Sequence, residues 1–366
     1  MSPSRGLTAT HTFTRLLSSQ LPNQIYLSTS TSPHVNLSLE HHLFTTLPSS
    51  CRTLLLYRNT PSLILGRNQN PWLETSHSSL LRTRVQLLRR RSGGGTVYHD
   101  LGNTNYSVTV PTSEFDRDKH ALMVSRALRN LQIPAAVNGR HDIVVLPSFE
   151  AGPEDPLAKK CSGSAYKLTR HRSYHHGTML LNTDLSAVKQ LLKSPARDII
   201  TARGVASVPS PVVNTKVTHE EFSVSVMREW EKLYGSGGVA LVSEAEAKSV
   251  EEIAKGVKEL KSEEWVYGQT PKFDIALPNG GKIGVDKGVV IEGPSNSLLG
   301  RKFGTQVVVQ ALQELGMGRE EARRWAEEMV GGSVWGVNYN SQDMVRGERQ
   351  TVKPKDILED VGYPII

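Results

Sequence analysis

Three short stretches concentrate the residue types that can do chemistry: RRRSGGGTVYHDLGNTNYSV at 89–108, KCSGSAY at 160–166 and HHGTMLLN at 175–182. Three consecutive glycines, Gly93 to Gly95, lie between an arginine run and an alternating strand pattern. Lacking Cβ atoms, they let a ligand lie against the backbone, where N–H groups bind anionic atoms. Arg90 or Arg91 can pair bidentately with a carboxylate or phosphate. The stretch is not a P-loop, because no Lys-Ser/Thr follows the glycines. Lys160 precedes Ser162, Gly163, Ser164 and Ala165, all small as a pocket wall needs to be. Its ammonium is a point charge able to touch a reacting carbonyl, although a Lys159-Lys160 pair also fits a solvated corner. Asp142 follows the turn Asn138-Gly139-Arg140 and can hold a cation or a hydroxyl, or cap the turn. His99 and Asp100 are strand neighbours that point to opposite faces, so they read as structural and not as a dyad. These residues describe a site for an elongated anionic ligand.

The chain around them has 366 residues, enough for two domains. Its composition, 38% hydrophobic and 22% charged, is that of a globular enzyme. No apolar run approaches membrane-spanning length. Cys51 and Cys161 are the only cysteines, which excludes a disulfide framework and a cysteine-cluster metal site and fits reduced thiols inside a cell. The net charge of +7 is concentrated early: residues 1–140 hold 15 Arg/Lys against 6 Asp/Glu. Such a bias raises nucleic-acid binding as an alternative. However, the arginines cluster at the glycine turn, and aromatics are only 6% of the chain, few for a stacking platform. The first 39 residues lack Asp and Glu and are rich in Ser and Thr, with Arg5 and Arg15 among leucines. Residues 1–23 therefore read as a mitochondrial presequence, with folded sequence from Gln24 or Ile25 and a matrix location.

Periodicity supplies the scaffold. Residues 36–44 have apolar positions at helical spacing, and 116–132 form an amphipathic helix through Ala121, Val124, Leu128 and Leu131. Thr53–Tyr57 and Ser62–Leu65 read as a strand hairpin about Asn59-Thr60-Pro61. Val85–Leu88, a half-buried Tyr106–Val110, Ile143–Leu146 and a long strand through Met179-Leu180-Leu181 complete the expected catalytic sheets. Residues 147–159 read as a proline-rich loop. Thr218 with Glu221, and Ser243 with Glu246, are capping boxes for helices ending at Gly235 and about Leu260. Trp265–Phe273 reads as a boundary, followed by a turn at 278–281, a strand over 282–291 and helices at 305–316 and 319–330. The fold class is α+β, with a catalytic domain over 24–272 and an accessory domain over 273–366.

The chain resembles the lipoate–protein ligase A and lipoyltransferase family from about Ile25 to Phe273. The motifs are NLSLEHHLF at 36–44, LLLYRNTPSLILGRNQNPWLE at 54–74, RRRSGGGTVYHDLGN at 89–103, NGRHDIV at 138–144, KCSGSAYKLTRHRSYHHGTMLLN at 160–182 and WVYGQTPKF at 265–273. The resemblance implies a catalytic domain like that of biotin and lipoate protein ligases, with a small accessory domain. It implies nucleotide contacts from Arg90, Gly95, Thr96, Val97, Tyr98 and Lys160. Gly94, Lys160, Ser162, Gly163 and His176 are the implied lipoate-binding residues, and Lys160 the catalytic one. Asn103 and Asp142 fall where adenylate and Mg²⁺ are held, although His141 stands where the family has Asn.

What the resemblance implies is attachment of lipoate, activated by ATP with Mg²⁺ to lipoyl-adenylate, to a lysine of lipoyl-accepting domains. These are the E2 subunits of 2-oxoacid dehydrogenases and the glycine cleavage H protein, and the enzyme itself is expected to be a monomer. A lipoyl or octanoyl amidotransferase that draws on a pre-activated donor shares these motifs and stays open. Related octanoyltransferases use a cysteine thioester, but Ser173 occupies that position and Cys161 lies elsewhere.

Overall fold

The computed structural model describes residues 10–331 except Arg84. Along the chain, the first strands are β1 (Thr10–His11), β2 (Asn23–Ser28), β3 (Arg52–Arg58), β4 (Ser62–Leu65), β5 (Gln86–Arg89) and β6 (Val97–His99). Next are β7 (Asn103–Pro111), β8 (Ala135–Val137), β9 (Ile143–Val145), β10 (Lys159–Ser162), β11 (Ser164–Leu168) and β12 (Arg172–Leu180). The last are β13 (Ile200–Ala202), β14 (Gly238–Val242), β15 (Phe273–Ala276), β16 (Lys282–Asp286) and β17 (Val289–Glu292).

A seven-stranded sheet in the order β1-β14-β2-β3-β7-β12-β11 forms the centre. Its β1-β14-β2-β3 half is parallel and its β3-β7-β12-β11 half antiparallel. This mixture, with helices on both faces, is the expected α+β class. Helices Arg117–Asn130 and His219–Tyr234 cover one face, where Ala121, Val124, Leu128, Phe222 and Trp230 meet Tyr106, Val108 and Val110. Helix Pro33–Thr46 covers the other through Val35, Leu39 and Leu43 against Tyr26, Leu55 and Tyr57. Burying side chains of this size gives about 1.5–3 kcal/mol each, which is what fixes the helices on the sheet. With both faces covered, β7 is buried along nearly its whole length, not half-buried as its alternation suggests.

Three smaller sheets surround the centre: β10-β9-β8, β5-β4-β6 and β13-β15-β16-β17. The last shares one core with the second, where Trp72 packs against Tyr267, Phe273 and Phe303 alongside Leu63 and Leu65.

Several elements differ from the sequence expectation. β3 and β4 are not a hairpin; β3 pairs with β2 and β7, whereas β4 pairs with β5 and β6. The chain leaves one sheet for the other across Asn59-Thr60-Pro61, where Thr60 N–H donates to Thr31 O and Pro61 O accepts from Gln86 N–H. Packed structure begins well before Gln24, because Phe13 and Leu16 in the helix Phe13–Leu17 are fully buried. The helix capped by Ser243 ends at Ser249; Val250 turns extended at φ −83°, ψ 117°, and a second helix, Glu251–Lys261, buries Ile253 and Leu260. The strand expected over 282–291 folds back on itself at Lys287-Gly288, both with positive φ, giving β16 and β17. The expected capping boxes of Thr218 and Ser243 are both present. Of the expected accessory unit, residues 332–366 lie outside the described residues, as do residues 1–9 of the expected presequence.

Candidate active site

A cavity of about 280 Å³ opens where the ends of β4, β6, β7, β10, β11 and β12 converge. One wall is the glycine bend between β5 and β6. The Arg90 guanidinium lies buried beneath it and donates to the carbonyls of Ile64 (3.0 Å), Gly93 (2.6 Å from Nη2) and Gly95 (2.8 Å). Because a trans peptide directs its C=O and N–H oppositely, carbonyls turned toward Arg90 turn the next amides, Gly94 and Thr96, away from it. The Thr96 amide accordingly meets the Ser207 hydroxyl at 2.9 Å. Gly94 has φ +85°, and a Cβ there would fall 2.9 Å from Arg90 Nη2. Gly66 lies so close that its Cβ would come within 1.9 Å of the Gly94 carbonyl oxygen. Burial lowers the Arg90 pKa to about 10, which leaves the group charged at neutral pH.

The neighbouring arginines do other work. Arg89 is fully buried and donates to the carbonyls of Gly66, Gln69 and Val266, tying the bend to the segment after Trp265. Arg91 pairs with Glu259 and lies 5.2 Å from the Trp265 ring. Sequence alone could not apportion the three.

The opposite wall carries Lys160. Its backbone N–H donates to Pro211 O at 3.0 Å, its C=O accepts from Val213 N at 2.9 Å, and a bulge follows before Ser162. The ammonium lies 2.8 Å from Asp142, whose second oxygen is 3.7 Å from Arg140. Gly163 lies directly beside the lysine side chain: a Cβ there would sit 2.9 Å from Lys160 Cε and 3.0 Å from Nζ. Three cations, Arg90, Arg140 and Lys160, thus face the cavity with the single carboxylate Asp142.

Between the walls stand His99 and His176. His99 takes a hydrogen bond from Asn59 at Nδ1, and burial, then Arg90 and His176, lower its pKa to about 3, so it is neutral. Asp100 faces away and accepts from the amides of Gly102 and Asp184, the structural role expected of it. His176 bridges Glu40 and Ser92, each at 2.8 Å. Burial, the largest single influence, would raise the Glu40 pKa, but His176, with Ser107 and His41, together outweigh it and hold the carboxyl below its ordinary range.

Of the expected site residues, Arg90, Gly95, Thr96, Val97, Asp142, Lys160, Gly163 and His176 line this one cavity. Gly94 lies in the bend itself. Tyr98 does not line it: β6 alternates, so Val97 and His99 face the cavity and Tyr98 packs into the core with Leu63 and Trp72. Ser162 is buried beside Tyr106, and Asn103 hydrogen-bonds Asn105, which lines the cavity in its place. Sequence reading missed the strap 205–208, which closes the cavity from above through Ser207. It has no apolar periodicity, and only its contacts reveal its position.

The family model for the lipoyl protein ligase A/B catalytic domain matches residues 32–230, more than half of the chain. The chain belongs to this family. A putative lipoate-protein ligase A of Schizosaccharomyces pombe is 40% identical over 284 residues, covering 72% of this chain and 75% of that protein. Lipoate-protein ligase A of Bdellovibrio bacteriovorus is 31% identical over 336 residues, 82% of this chain and 97% of that one. Among solved structures, a P. falciparum protein in complex with lipoate aligns with a TM-score of 0.56 at 24% identity, covering 83% of this chain and 98% of that chain. A Thermoplasma acidophilum bipartite lipoate protein ligase, solved with its E2 lipoyl domain, has a TM-score of 0.54 at 22% identity over 67% of this chain and 95% of that one. A lipoate-protein ligase A bound with ATP has a TM-score of 0.53 at 23% identity over 66% and 97%. At these identities the structures establish the shared fold. Within this lipoate–protein ligase, the cysteine is accounted for: Cys161 is fully buried, and burial pushes its thiol up to about 12. A thiolate nucleophile does not form there at neutral pH.

Proposed function

We propose that this enzyme joins lipoate to a lysine of lipoyl-accepting domains through lipoyl-adenylate held non-covalently in the cavity. Attaching lipoate to proteins is the activity for which its relatives are named. The observation that carries the reading is one cavity lined both by the end of the glycine bend, Gly95 and Thr96, and by Lys160. An elongated anion spanning the two walls would place its phosphate at the bend and its acyl junction at Lys160.

Two steps follow. A lipoate carboxylate oxygen attacks the α-phosphorus of ATP; the P–O bond to the β-phosphate breaks and pyrophosphate leaves. The ε-amine of the acceptor then attacks the acyl carbon, the acyl–phosphate C–O bond breaks, AMP departs with the electron pair, and the amine sheds a proton. Neither step needs a protein nucleophile, in keeping with the buried Cys161. Positioning and charge stabilisation supply the rate. The ATP and lipoate complexes of the fold relatives support this choice of ligands, and the E2 lipoyl domain solved with one of them supports the acceptor class.

Among the described residues no cluster of three or more His, Cys, Asp or Glu side chains could hold a resident metal. Asp142 is the one carboxylate lining the cavity, and two cations already flank it. That fits Mg²⁺ arriving on the nucleotide, ligated chiefly by phosphate and water with Asp142 at hand, where it would offset phosphate charge.

We place the enzyme in the mitochondrial matrix as a monomer that also serves the glycine cleavage H protein. Given the burial of Phe13 and Leu16, processing of the leader would fall ahead of Thr10; N-terminal sequencing of organellar protein showing a start near residue 24 would refute that position.

The deciding assay supplies purified protein with ATP, Mg²⁺, lipoate and an apo-lipoyl domain, with lipoyl-adenylate in place of ATP and lipoate in a parallel tube. Lipoylated product in both supports the ligase. Product in the second alone leaves a transferase, and product in neither removes the function.

A further inference from the structure

A line of buried polar groups runs from the helix Pro33–Thr46 to the glycine bend. Glu40 Oε1 lies 2.8 Å from His176 Nδ1, and His176 Nε2 lies 2.8 Å from Ser92 Oγ. Ser92 Oγ accepts from Arg90 Nε–H at 2.9 Å. Arg90 then holds the carbonyls of Gly93 and Gly95. Glu40, Ser92 and Arg90 are all at least nine-tenths buried. An ionised carboxylate only accepts, so His176 Nδ1 carries a proton. Nε2 and the Ser92 hydroxyl share one proton between them, and whichever of the two donates it, Ser92 Oγ keeps a lone pair for Arg90 Nε–H. Ser92 is 1% exposed and does not line the cavity, so it cannot act by touching a ligand.

We infer that Glu40, His176 and Ser92 are positioning residues for nucleotide binding: they fix the plane of the Arg90 guanidinium, and through its bonds to the Gly93 and Gly95 carbonyls they set the bend that brings Gly95 and Thr96 to the cavity wall. This goes beyond a lining role for His176. The Nη atoms are held by the carbonyls of Ile64, Gly93 and Gly95, and Ser92 with Gly93 O completes the set at Nε–H, so the line ending at Ser92 fixes the remaining edge of the guanidinium. Charge-assisted bonds in a low-dielectric interior make the alignment stiff before any ligand arrives. The inference rests on the reading that the cavity takes a nucleotide, so one arm of its test uses none.

In that arm the protein carries ¹⁵N-labelled arginine and the Arg90 Nε–H signal is followed without ligand. Slow solvent exchange is expected in the wild type and fast exchange in Ser92→Ala and in Glu40→Ala, the latter two hydrogen bonds away. Unchanged exchange in Glu40→Ala overturns the inference. Glu40→Gln, whose amide oxygen still accepts from Nδ1–H, is expected to restore most of the protection. In the second arm, calorimetry with ATP and with lipoate alone is expected to show Ser92→Ala weakening ATP about tenfold while lipoate binding is retained. Wild-type ATP affinity in Ser92→Ala also overturns the inference. A wild type that binds no ATP sinks the functional reading, and the exchange arm still decides this one. If Ser92→Ala does not fold, Ser92→Cys keeps the bulk, weakens the hydrogen bonds and is read by the same criteria.

Discussion

The two walls of the cavity are built to opposite specifications. The glycine bend rests on a buried guanidinium with defined acceptors on Ile64, Gly93 and Gly95, and leaves no room for Cβ atoms at Gly66 or Gly94. The Lys160 wall is looser. Its ammonium side chain is 23% exposed, and the strap above it leaves Val205 49% and Val208 67% exposed. An amide cradle must be aimed in advance, since a peptide group cannot reorient without moving its neighbours. On the proposed two-step route Lys160 would serve two successive transition states, and its partly exposed side chain leaves it room to follow both.

Breaking the looser wall should have the largest effect on chemistry. Lys160→Ala is expected to lower kcat/KM for lipoylation by about 10²–10³, the loss for removing one preorganised donor. Its melting temperature should stay near wild type, because the partly solvated ion pair with Asp142 adds little net stability. A large drop in melting temperature would show instead that this wall, too, is structural.

Gly163→Ala tests how much freedom the ammonium has. The new methyl would press on Cε and Nζ, atoms at the end of a flexible chain, so the protein should fold normally. Displacing the charge by a fraction of an ångström should cost roughly tenfold in kcat. An unchanged kcat would mean that Lys160 swings farther than the contrast between the walls requires.

Ser207→Ala should have the smallest effect. It removes the hydroxyl that joins the strap to Thr96 and Gln69, at about 1 kcal/mol or roughly fivefold in adenylate affinity. A gain in affinity would sharpen the comparison differently, by showing that the hydroxyl competes with ligand for the Thr96 amide.

Much of the site was legible because its cause is local. Three glycines in a row state that backbone must be approachable, and small residues after Lys160 state that its side chain needs clearance. The capping boxes at Thr218 and Ser243 were readable for the same reason: each closes within one helical turn. What escaped is long-range. Nothing near Pro61 says that the chain changes sheets there, and the strap 205–208 with the residues after it to 213 is defined by partners at 69, 96 and 160. Tyr98 was assigned to the site by belonging to a motif, when the two-residue period of β6 turns it into the core. The three arginines look equivalent in sequence, and only the depth of each end group separates a buttress for the bend from a tie to a distant segment.

Both thiols of the chain are buried, with Cys51 raised to about 11 and Cys161 to about 12 by desolvation. A substrate whose tail ends in a strained cyclic disulfide is open to attack by any thiolate within reach, and such exchange would tether it to the wrong sulfur. By keeping its cysteines protonated and out of contact, the protein can carry a redox-active ring without reacting with it, and the ring reaches the acceptor oxidised or reduced as it entered.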